Sequence, residues 1–343
     1  MARVSGSDRR VSLHDVAAHA QVAVSTVSRY LNGALQLSPE TEARVLRAME
    51  AVGYTRSVST PRGPARPRGV LGLVVPQIGN AYFARIAEQF VTAAEGHGYQ
   101  ALIASTSSHA RKQNDYVELL RDKNLDGLVY VGNFGFNKAL SALIEDGLPV
   151  VLLDEALSVT PAADAVLVDD YSGAYQATAH LTALGHQRIA LLTGPPALRS
   201  VQERRRGWAD ALERAGIDPA AQITFSGSFT EEFGAGTLTH LLAAAPAPTA
   251  VFAASDAIAI GLMTGARALN VRIPADLSVV GFDDVPAASY VQPRLTTVHT
   301  PLEVMAARAV TALIDRIDHP DRPPAMEKTP VTLVIGGTAA APA

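Results

Sequence analysis

A set of hydroxyls and one arginine near the N-terminus has the residue types and spacing to contact a polyanion. They lie within the run Leu13–Asn32 (LHDVAAHAQVAVSTVSRYLN) and are Ser25, Thr26, Ser28 and Arg29. Hydroxyls on one helix face can donate to phosphate oxygens, and an arginine can donate two hydrogen bonds to a guanine. These residue types, repeated along one helical face, predict contact with duplex DNA.

Three short helices are predicted to position these side chains. Apolar spacing predicts a first helix, a break over residues 21–23 and a second helix over residues 24–32. A third helix is predicted over residues 39–52, because Ser38 can act as its N-cap and a proline follows at the first helical position. The arrangement is an all-α helix-turn-helix head, which we place at residues 1–60.

The second helix of such a unit presents its first residues to base edges in the major groove. Val24 and Ser25 are therefore candidate base readers, and Arg29 is predicted to reach a guanine. The predicted phosphate contacts are Thr26, Ser28 and Asn32. The charge distribution also supports binding to DNA. Residues 1–68 hold ten arginines and five acidic residues, so this segment carries +5, whereas the whole chain has a net charge of −4. A basic unstructured tail is the alternative, and the helical spacing of the apolar residues argues against it.

The remainder of the chain has the composition of a large globular body. The chain has 343 residues, of which 48% are hydrophobic and 18% charged, and this argues against disorder. Cysteine is absent, which excludes disulfides and thiolate metal sites and fits a reducing compartment. The sequence shows no secretory signal and no apolar run of about 18 residues. We therefore expect a cytoplasmic protein that does not span a membrane.

From Val70 onward, short apolar runs alternate with longer amphipathic segments. The predicted strands are residues 70–75, 100–105, 127–131, 150–154, 189–193, 250–253 and 279–282. Predicted helices include residues 82–97, 171–184, 203–215 and 256–269. This alternation predicts an α/β body with parallel sheets, and a break near Asp169 predicts two lobes. The predicted segments are a Pro/Arg-rich linker at 61–69, a first lobe at 70–168 plus 300–327, and a second lobe at 169–299 plus 328–343.

Polar and aromatic side chains follow several predicted strands at their carboxyl ends, where ligands bind in sheets of this kind. In the first lobe they are Gln77, Asn80, Tyr82, Phe83, Asn133 and Asp154. In the second lobe they are Ser255, Asp256, Asp283 and Asp284. Aromatic faces together with a few carboxylates, amides and one arginine suit a small polar ligand such as a sugar or a nucleoside.

Residues 13–32 read L-x-D-V-A-x-x-A-x-V-x-x-x-T-V-S-R-x-L-N, and S-P-E-T-x-x-x-V-x-x-A-M-x-x-x-G-Y follows and ends at Tyr54. This pattern closely resembles the head of the lactose/galactose repressor (LacI/GalR) family. The resemblance implies a sequence-specific transcriptional repressor, a homodimer whose two heads read a roughly palindromic operator, and it adds Tyr54 to the DNA-binding residues. The family usually has Ser or Thr at the position of Ala23, so the second helix is expected to begin without a side-chain cap.

Motifs in the body include A-Y-F at 81–83, D-G-L at 126–128, L-G-H-x-x-I-A at 184–190, E-R-x-x-G-W at 203–208, P-T-A-V-F-A-x-S-D at 248–256 and S-V-V-G-F-D-D at 278–284. They resemble the same family, and with it the type 1 periplasmic-binding-protein fold. The effector contacts that this resemblance implies are Tyr82, Phe83, Asn133, Arg204, Phe229, Ser255 and Asp283. It implies that Arg204 binds ligand oxygens with two hydrogen bonds, that Phe229 stacks on the ligand and that Asp283 accepts from a hydroxyl or an amine.

The linker departs from the family pattern. The family usually forms a hinge helix there, with a leucine that enters the minor groove at the position of Gly63, but Pro61 and Pro64 flank that position and disfavour a helix. Electrostatic contacts with the DNA backbone are expected instead from Arg56, Arg62, Arg66 and Arg68. The tail after Val334 has no apolar heptads, so a dimer is expected rather than a tetramer.

An enzyme and an extracytoplasmic sugar-binding protein are the alternative functions. The chain lacks the phosphate-binding glycine loops, the nucleophile elbow and the H-E-x-x-H pattern of common enzymes. No cofactor is implied, and no metal site is predicted, since His14 and His19 are five residues apart. A sugar-binding protein would share the body but not the head. The residues expected to be structural are His186, Trp208 and, as a helix cap, Asp256.

Overall fold

The computed structural model describes residues 13–31, 35–52, 69–106, 115–116, 125–132, 138–156 and 163–342. The chain forms two compact units, Met1–Ala65 and Arg66–Ala343. The division falls inside the predicted linker, of which the structure describes only Gly69. The predictions for the hinge helix and for the arginines between residues 56 and 68 lie outside the described residues.

Within the described residues, the N-terminal unit forms the helices α1 (Leu13–Ala20), α2 (Val24–Leu31) and α3 (Pro39–Val52). The predicted helix-turn-helix is confirmed, and α2 is described as far as Leu31, since the predicted last residue, Asn32, lies outside the described residues. The three helices share a core whose buried members are Val16, Ala17, Ala20, Val27, Val45 and Ala48. Ser38 is the N-cap of α3, because its Oγ accepts a hydrogen bond from the Thr41 backbone N–H at 3.4 Å.

Two parallel sheets form the framework of the C-terminal unit. Its strands are β1 (Val70–Val75), β2 (Gln100–Ser105), β3 (Gly127–Tyr130), β4 (Val150–Asp154), β5 (Asp164–Val168), β6 (Ile189–Thr193), β7 (Thr224–Ser226), β8 (Ala250–Ala253), β9 (Ser278–Val280), β10 (Thr297–His299), β11 (Met326–Thr329) and β12 (Thr332–Val334). The first sheet has the order β11–β5–β4–β3–β1–β2 and the second β7–β6–β8–β9. The strands β10 and β12 pair separately and antiparallel.

Helices cover both sheets and bury their apolar sides against them. They are α4 (Ala81–Gly96), α5 (Lys138–Glu145), α6 (Asp170–Ala183), α7 (Arg199–Arg214), α8 (Glu231–Ala243), α9 (Asp256–Ala268), α10 (Pro286–Tyr290) and α11 (Leu302–Asp318). Leu73, Phe90 and Leu313 are fully buried in the first sheet's core, and each such side chain stabilises the fold by about 1.5–3 kcal/mol. Among the described residues, no helix is long and apolar enough to cross a bilayer.

Five strands have the bounds that the sequence predicts, namely β1, β2, β4, β6 and β8. The predicted strands do not include β5, β7, β10, β11 and β12. The prediction extended β3 one residue too far, and it placed β9 one residue late and extended it two residues too far. The predicted boundary between residues 327 and 328 falls inside β11, which pairs with β5 over its whole length. The segment that returns to the first sheet therefore extends to Thr329.

A glycine allows α8 to pack directly against α9. A Cβ atom at Gly234 would lie 2.0 Å from the carbonyl oxygen of Ile258, a backbone atom that cannot move aside. Gly236 is two residues further along the same helix and has no atom within 4 Å of its Cβ position. The two glycines therefore differ in their packing and not in their secondary structure.

We expect Gly234→Ala to lower the free energy of unfolding by about 2–3 kcal/mol, because the two helices have to separate. Gly236→Ala is expected to raise it by about 0.5–1 kcal/mol, since alanine is the better helix former. Urea unfolding followed by circular dichroism measures both. Equal effects from the two substitutions would contradict the close helix contact.

Candidate DNA-binding face and effector pocket

Helix α2 presents the predicted DNA contacts away from its buried side. Val27 is fully buried in the core of the unit, and the Tyr30 hydroxyl donates to Oε1 of Glu42 on α3 at 2.7 Å. These two contacts fix the rotation of α2 about its own axis. The predicted contacts in the described part of α2 are exposed (Ser25, Arg29) or partly exposed (Val24, Thr26, Ser28). Asn32 and Tyr54 lie outside the described residues.

The first turn of α2 is suited to an anion. The carbonyl oxygen of Ala23 accepts from the backbone N–H groups of Thr26 at 2.9 Å and Val27 at 3.2 Å in this turn. The turn contains no acidic residue. The positive end of the helix dipole therefore lies beside the exposed and partly exposed hydroxyls without an acidic residue to oppose it, an arrangement that favours phosphate.

A cavity of about 420 Å³ lies in the C-terminal unit at the carboxyl ends of the strands. Six of the seven predicted effector contacts line it, namely Tyr82, Phe83, Arg204, Phe229, Ser255 and Asp283. Asn133 lies outside the described residues. The cavity is lined further by Gln77, Asn80, Gly132, Asp154, Glu155, Pro195, Ala197, Leu198, Ser200, Ser228 and Thr230. The structure brings the six residues together, and their contact with a ligand stays a prediction.

Arg204 is the one cation among the described residues that line the cavity. Its Nε donates to Oδ1 of Asp170 at 2.9 Å and its Nη1 donates to the carbonyl oxygen of Ala254. The guanidinium carbon lies 3.8 Å from the centroid of the Phe282 ring. These contacts fix the plane of the guanidinium and leave the Nη2 side for a ligand, which favours recognition of two oxygens in one plane.

Two carboxyl groups line the cavity together with Arg204. Asp283 is 8% exposed, and its Oδ1 lies 3.9 Å from Nη1 of Arg204, beyond hydrogen-bonding distance. Burial raises the pKa of Asp283 well above its ordinary value, with Arg204 opposing the shift. Asp154 accepts from the Tyr82 hydroxyl at 2.5 Å, and burial raises its pKa to about 7. Both residues have positive φ, 113° and 71°, which is strain typical of functional sites.

Aromatic rings supply the apolar part of the cavity wall. Tyr82 and Phe83 begin α4, and their ring centroids lie 5.4 Å apart in an edge-on arrangement. The Phe229 ring lies against Gly194, where a Cβ would be 2.2 Å from the ring. Asn80 caps α4 and also donates from Nδ2 to the carbonyl oxygen of Phe229 at 3.4 Å. A ligand with both hydroxyls and an apolar face fits this combination of side chains.

The comparisons with known proteins agree with this geometry. The family model described as bacterial regulatory proteins of the lacI family matches residues 12–57, and the model of a periplasmic binding protein-like domain matches residues 178–339. The HTH-type transcriptional regulator DegA of Bacillus subtilis (strain 168) is 31% identical over 301 residues, which are 87% of this chain and 89% of DegA. The chain belongs to the LacI family of bacterial regulators.

Two solved structures of regulators match this chain over nearly its whole length. The structure of the transcriptional regulator CelR in complex with cellobiose has a TM-score of 0.73 and 30% sequence identity. The match covers 96% of this chain and 100% of the CelR chain. The structure of the lac repressor dimer bound to operator and the anti-inducer ONPF has a TM-score of 0.72 and 26% sequence identity. The match covers 97% of this chain and 100% of the lac repressor chain. This LacI-family chain is therefore a DNA-binding transcriptional repressor and not an enzyme, as the sequence predicts.

Two expectations for structural residues of this LacI-family chain are confirmed and one is wrong. His186 is buried, with ring nitrogens 2.9 Å from Thr249 Oγ1 and from the Ala340 carbonyl oxygen, and Trp208 is 2% exposed. Asp256 was expected to cap α9, but the N-cap is Ser255, whose Oγ accepts from Ile258 N at 3.3 Å. The buried Asp256 instead accepts hydrogen bonds from Val285 N and Thr297 Oγ1.

The sequence did not single out Glu155 and Ser200, which both line the cavity and hydrogen-bond to each other at 2.6 Å. Glu155 follows Asp154 directly, so the end of β4 was a signal for it. Ser200 lies four residues before Arg204, one helical turn away on the same side of α7. The four-residue spacing from Arg204 was the one signal in the sequence that could have predicted Ser200 as a cavity residue.

Proposed function

We propose that this protein is a homodimeric repressor whose operator affinity is controlled by a neutral, hydroxyl-rich ligand, most simply a sugar, bound in the cavity. The observation that carries the proposal is the pair of Asp283 and Arg204 at the cavity wall, where Oδ1 of the buried carboxyl group lies 3.9 Å from Nη1, beyond hydrogen-bonding distance. A buried carboxyl group in this state is stabilised when a ligand donates to it. A hydroxyl is the simplest such donor.

The charges around the cavity favour a neutral ligand over an anionic one. The carboxyl groups of Asp154, Glu155 and Asp283 all line it, and burial raises the pKa of each, so these surroundings disfavour negative charge. The positive charge of Arg204 is balanced by Asp170, whose side chain is fully buried next to it. A phosphorylated sugar or a carboxylic acid would bring further negative charge close to these groups, and the low-dielectric surroundings would strengthen the repulsion.

The aromatic side chains support a sugar or a nucleoside, and the related CelR structure contains cellobiose. The ring of Phe229 can cover an apolar sugar face or a base equally well. A nucleoside is therefore the second candidate. The pairing of Arg204 with acceptor carboxylates favours the sugar, because each hydroxyl both donates and accepts.

The cavity is lined by residues that follow strands of both sheets, so a ligand there is expected to change how the two predicted lobes close. We infer that closure is the conformational change that alters operator affinity, by favouring one of two preexisting arrangements. Two heads in a homodimer fit half-sites about one helical turn apart. The dimer in the lac repressor structure supports this assembly. The protein is proposed to act in the cytoplasm.

The ligand proposal is tested by isothermal titration calorimetry of the full chain. The panel contains free mono- and disaccharides, cellobiose among them, their phosphate esters and nucleosides. We expect at least one free sugar to bind and its phosphate ester to bind at least about tenfold more weakly. Binding of the phosphate ester alone would overturn the neutral-ligand proposal, and binding of nucleosides alone would establish the second candidate.

Arg29→Ala is expected to weaken binding to the selected operator by about 10–100-fold and to relax preference at one base pair, because a two-bond guanine contact is lost. Fluorescence anisotropy on operators from an in vitro selection measures both effects. Arg47→Ala is the matched control, since Arg47 is exposed on α3 of the same unit. Equal losses for the two variants on every sequence would show a purely electrostatic role for Arg29.

A further inference from the structure

The N-terminus of α7 has no cap of its own. The residue at the N-cap position is Leu198, with φ −76° and ψ 137°, and it provides no side-chain hydrogen bond. The first turn contains no acidic residue. Its first backbone N–H groups therefore need acceptors from elsewhere in the chain.

Glu155 supplies those acceptors from a distant part of the chain. Its Oε1 accepts from the backbone N–H of Arg199 at 2.8 Å. Its Oε2 accepts from Ser200 twice, from the backbone N–H at 3.2 Å and from Oγ at 2.6 Å. Glu155 is 4% exposed, so the carboxylate gives up almost all of its water for these three hydrogen bonds.

This contact joins the two sheets of the C-terminal unit at the edge of the cavity. Glu155 directly follows β4 of the first sheet, and α7 follows β6 of the second. Two other hydrogen bonds that cross between these parts are long, from Asn80 Nδ2 to Phe229 O at 3.4 Å and from Arg85 Nη1 to Asp284 O at 3.5 Å. Among the described residues, the Glu155 contact therefore has the shortest and most numerous hydrogen bonds of the three.

We propose that Glu155 is a closing clasp, a positioning residue that caps α7 only while the two lobes are closed over the cavity. An open cleft would separate the carboxylate from the helix, and each would then be hydrated. In the closed form the ionised carboxylate meets both the N–H groups and the positive end of the helix dipole. The inference rests on the proposed function in one respect, namely that lobe closure carries the effector response.

The Glu155 contact combines a favourable contribution from hydrogen bonds with an unfavourable contribution from burial. Burial raises the pKa of Glu155, although the hydrogen bonds from Ser200 and Arg199 oppose the shift. The cost of removing the carboxylate from water thus opposes what the hydrogen bonds contribute. A contact with opposing contributions can open and close when a ligand adds further contacts.

The absence of cysteine from the chain makes a direct distance measurement possible. Spin labels at Glu145→Cys and Glu213→Cys, both exposed, place one probe beside each sheet. Double electron–electron resonance is recorded on the full chain without ligand, diluted with unlabelled protein so that only pairs within one chain report. Glu155→Ala is expected to shift the ratio of short to long distances toward the long form by about tenfold, the size expected for the loss of a charged N-cap.

Glu155→Gln, which keeps the shape but not the charge, is expected to give a smaller shift in the same direction. The control is Glu232→Ala, which removes an exposed carboxylate from the first turn of α8. A distance distribution in both Glu155 variants that matches the control would overturn the clasp, even if their melting temperatures fall, because Glu155 would then only stabilise a helix end.

The proposed function and the clasp can fail separately. If no sugar or nucleoside binds but the Glu155 variants shift the distances, the clasp stands and the proposed ligand class is wrong. If a sugar binds and the Glu155 variants leave the distances unchanged, the ligand class stands and the clasp is wrong.

Discussion

Arg204→Ala is expected to abolish the ligand response while operator affinity without ligand stays within about threefold of the wild type. Arg204 is the cation that lines the cavity among the described residues, so its loss removes the donors proposed for two ligand oxygens. The predicted DNA-binding residues lie in a separate compact unit. Calorimetric ligand binding and operator anisotropy, each measured with and without the sugar that binds the wild type, test the two halves of the prediction.

The same substitution is expected to destabilise the C-terminal unit, which complicates a simple alanine test. Asp170 is fully buried and receives a hydrogen bond from Arg204 Nε, so the alanine variant leaves this buried charge with only a longer contact, 3.8 Å from its Oδ2 to Nη1 of Arg199. A loss of about 3–5 kcal/mol is typical of breaking such a pair. The double variant Arg204→Met with Asp170→Asn removes both charges, and we expect it to regain most of the stability but none of the ligand response.

Arg205→Ala is the matched control, because Arg205 is the next residue of α7 and is exposed. It is expected to change neither ligand binding nor stability by a measurable amount. A double variant that is stable and still responds to ligand would show that the cavity does not hold the effector through Arg204.

The sequence predicts the framework well, because burial on both sides leaves a simple pattern. β1, β4 and β6 are continuous apolar runs between polar segments, and their bounds were predicted to the residue. β7 was missed because it is three residues long, lies at a sheet edge and is only partly buried. β11 is mostly exposed, so its composition gives little sign that it belongs to the first sheet.

The site is less predictable, because its chemistry depends on partners that are distant in sequence. The family motif indicates Arg204, but nothing local shows that Asp170, 34 residues earlier, holds its Nε. Glu155 caps a helix that begins 44 residues later, and no periodicity encodes such a contact. The positive φ of Asp283 is likewise a result of tertiary structure, since an aspartate prefers other conformations.

The second large effect is expected from replacing Asp283, whose raised pKa indicates that its burial lowers the stability of the fold at high pH. The same side chain is proposed to bind the ligand. Burial raises this pKa far above its ordinary value, so the folded state keeps a proton that the unfolded chain releases near pH 4. Between that pH and the raised pKa the folded state binds more protons than the unfolded state. The free energy of unfolding therefore falls as the pH rises through this range.

Asp283→Asn removes this pH dependence and is expected to raise the free energy of unfolding by about 1–2 kcal/mol at pH 8. Asparagine also tolerates the positive φ of this position. Ligand affinity is expected to fall by at least about 100-fold, because the amide cannot lose a proton to become the strong acceptor for a hydroxyl that the ionised carboxyl group is. Urea unfolding between pH 4 and pH 8 and calorimetric titration with the bound sugar measure the two effects.

Asp276→Asn provides a control of opposite sign. Asp276 is exposed, and its hydrogen bonds with Arg272 lower its pKa to about 2. The Asp276 carboxylate stabilises the fold above pH 4 and loses that contribution as the pH falls. Asp276→Asn is therefore expected to give no increase in the free energy of unfolding at pH 8 and to leave ligand binding unchanged. A stable Asp283→Asn variant with undiminished ligand affinity would show that the buried carboxylate does not bind the effector, and the case for a sugar donor at that position would fail with it.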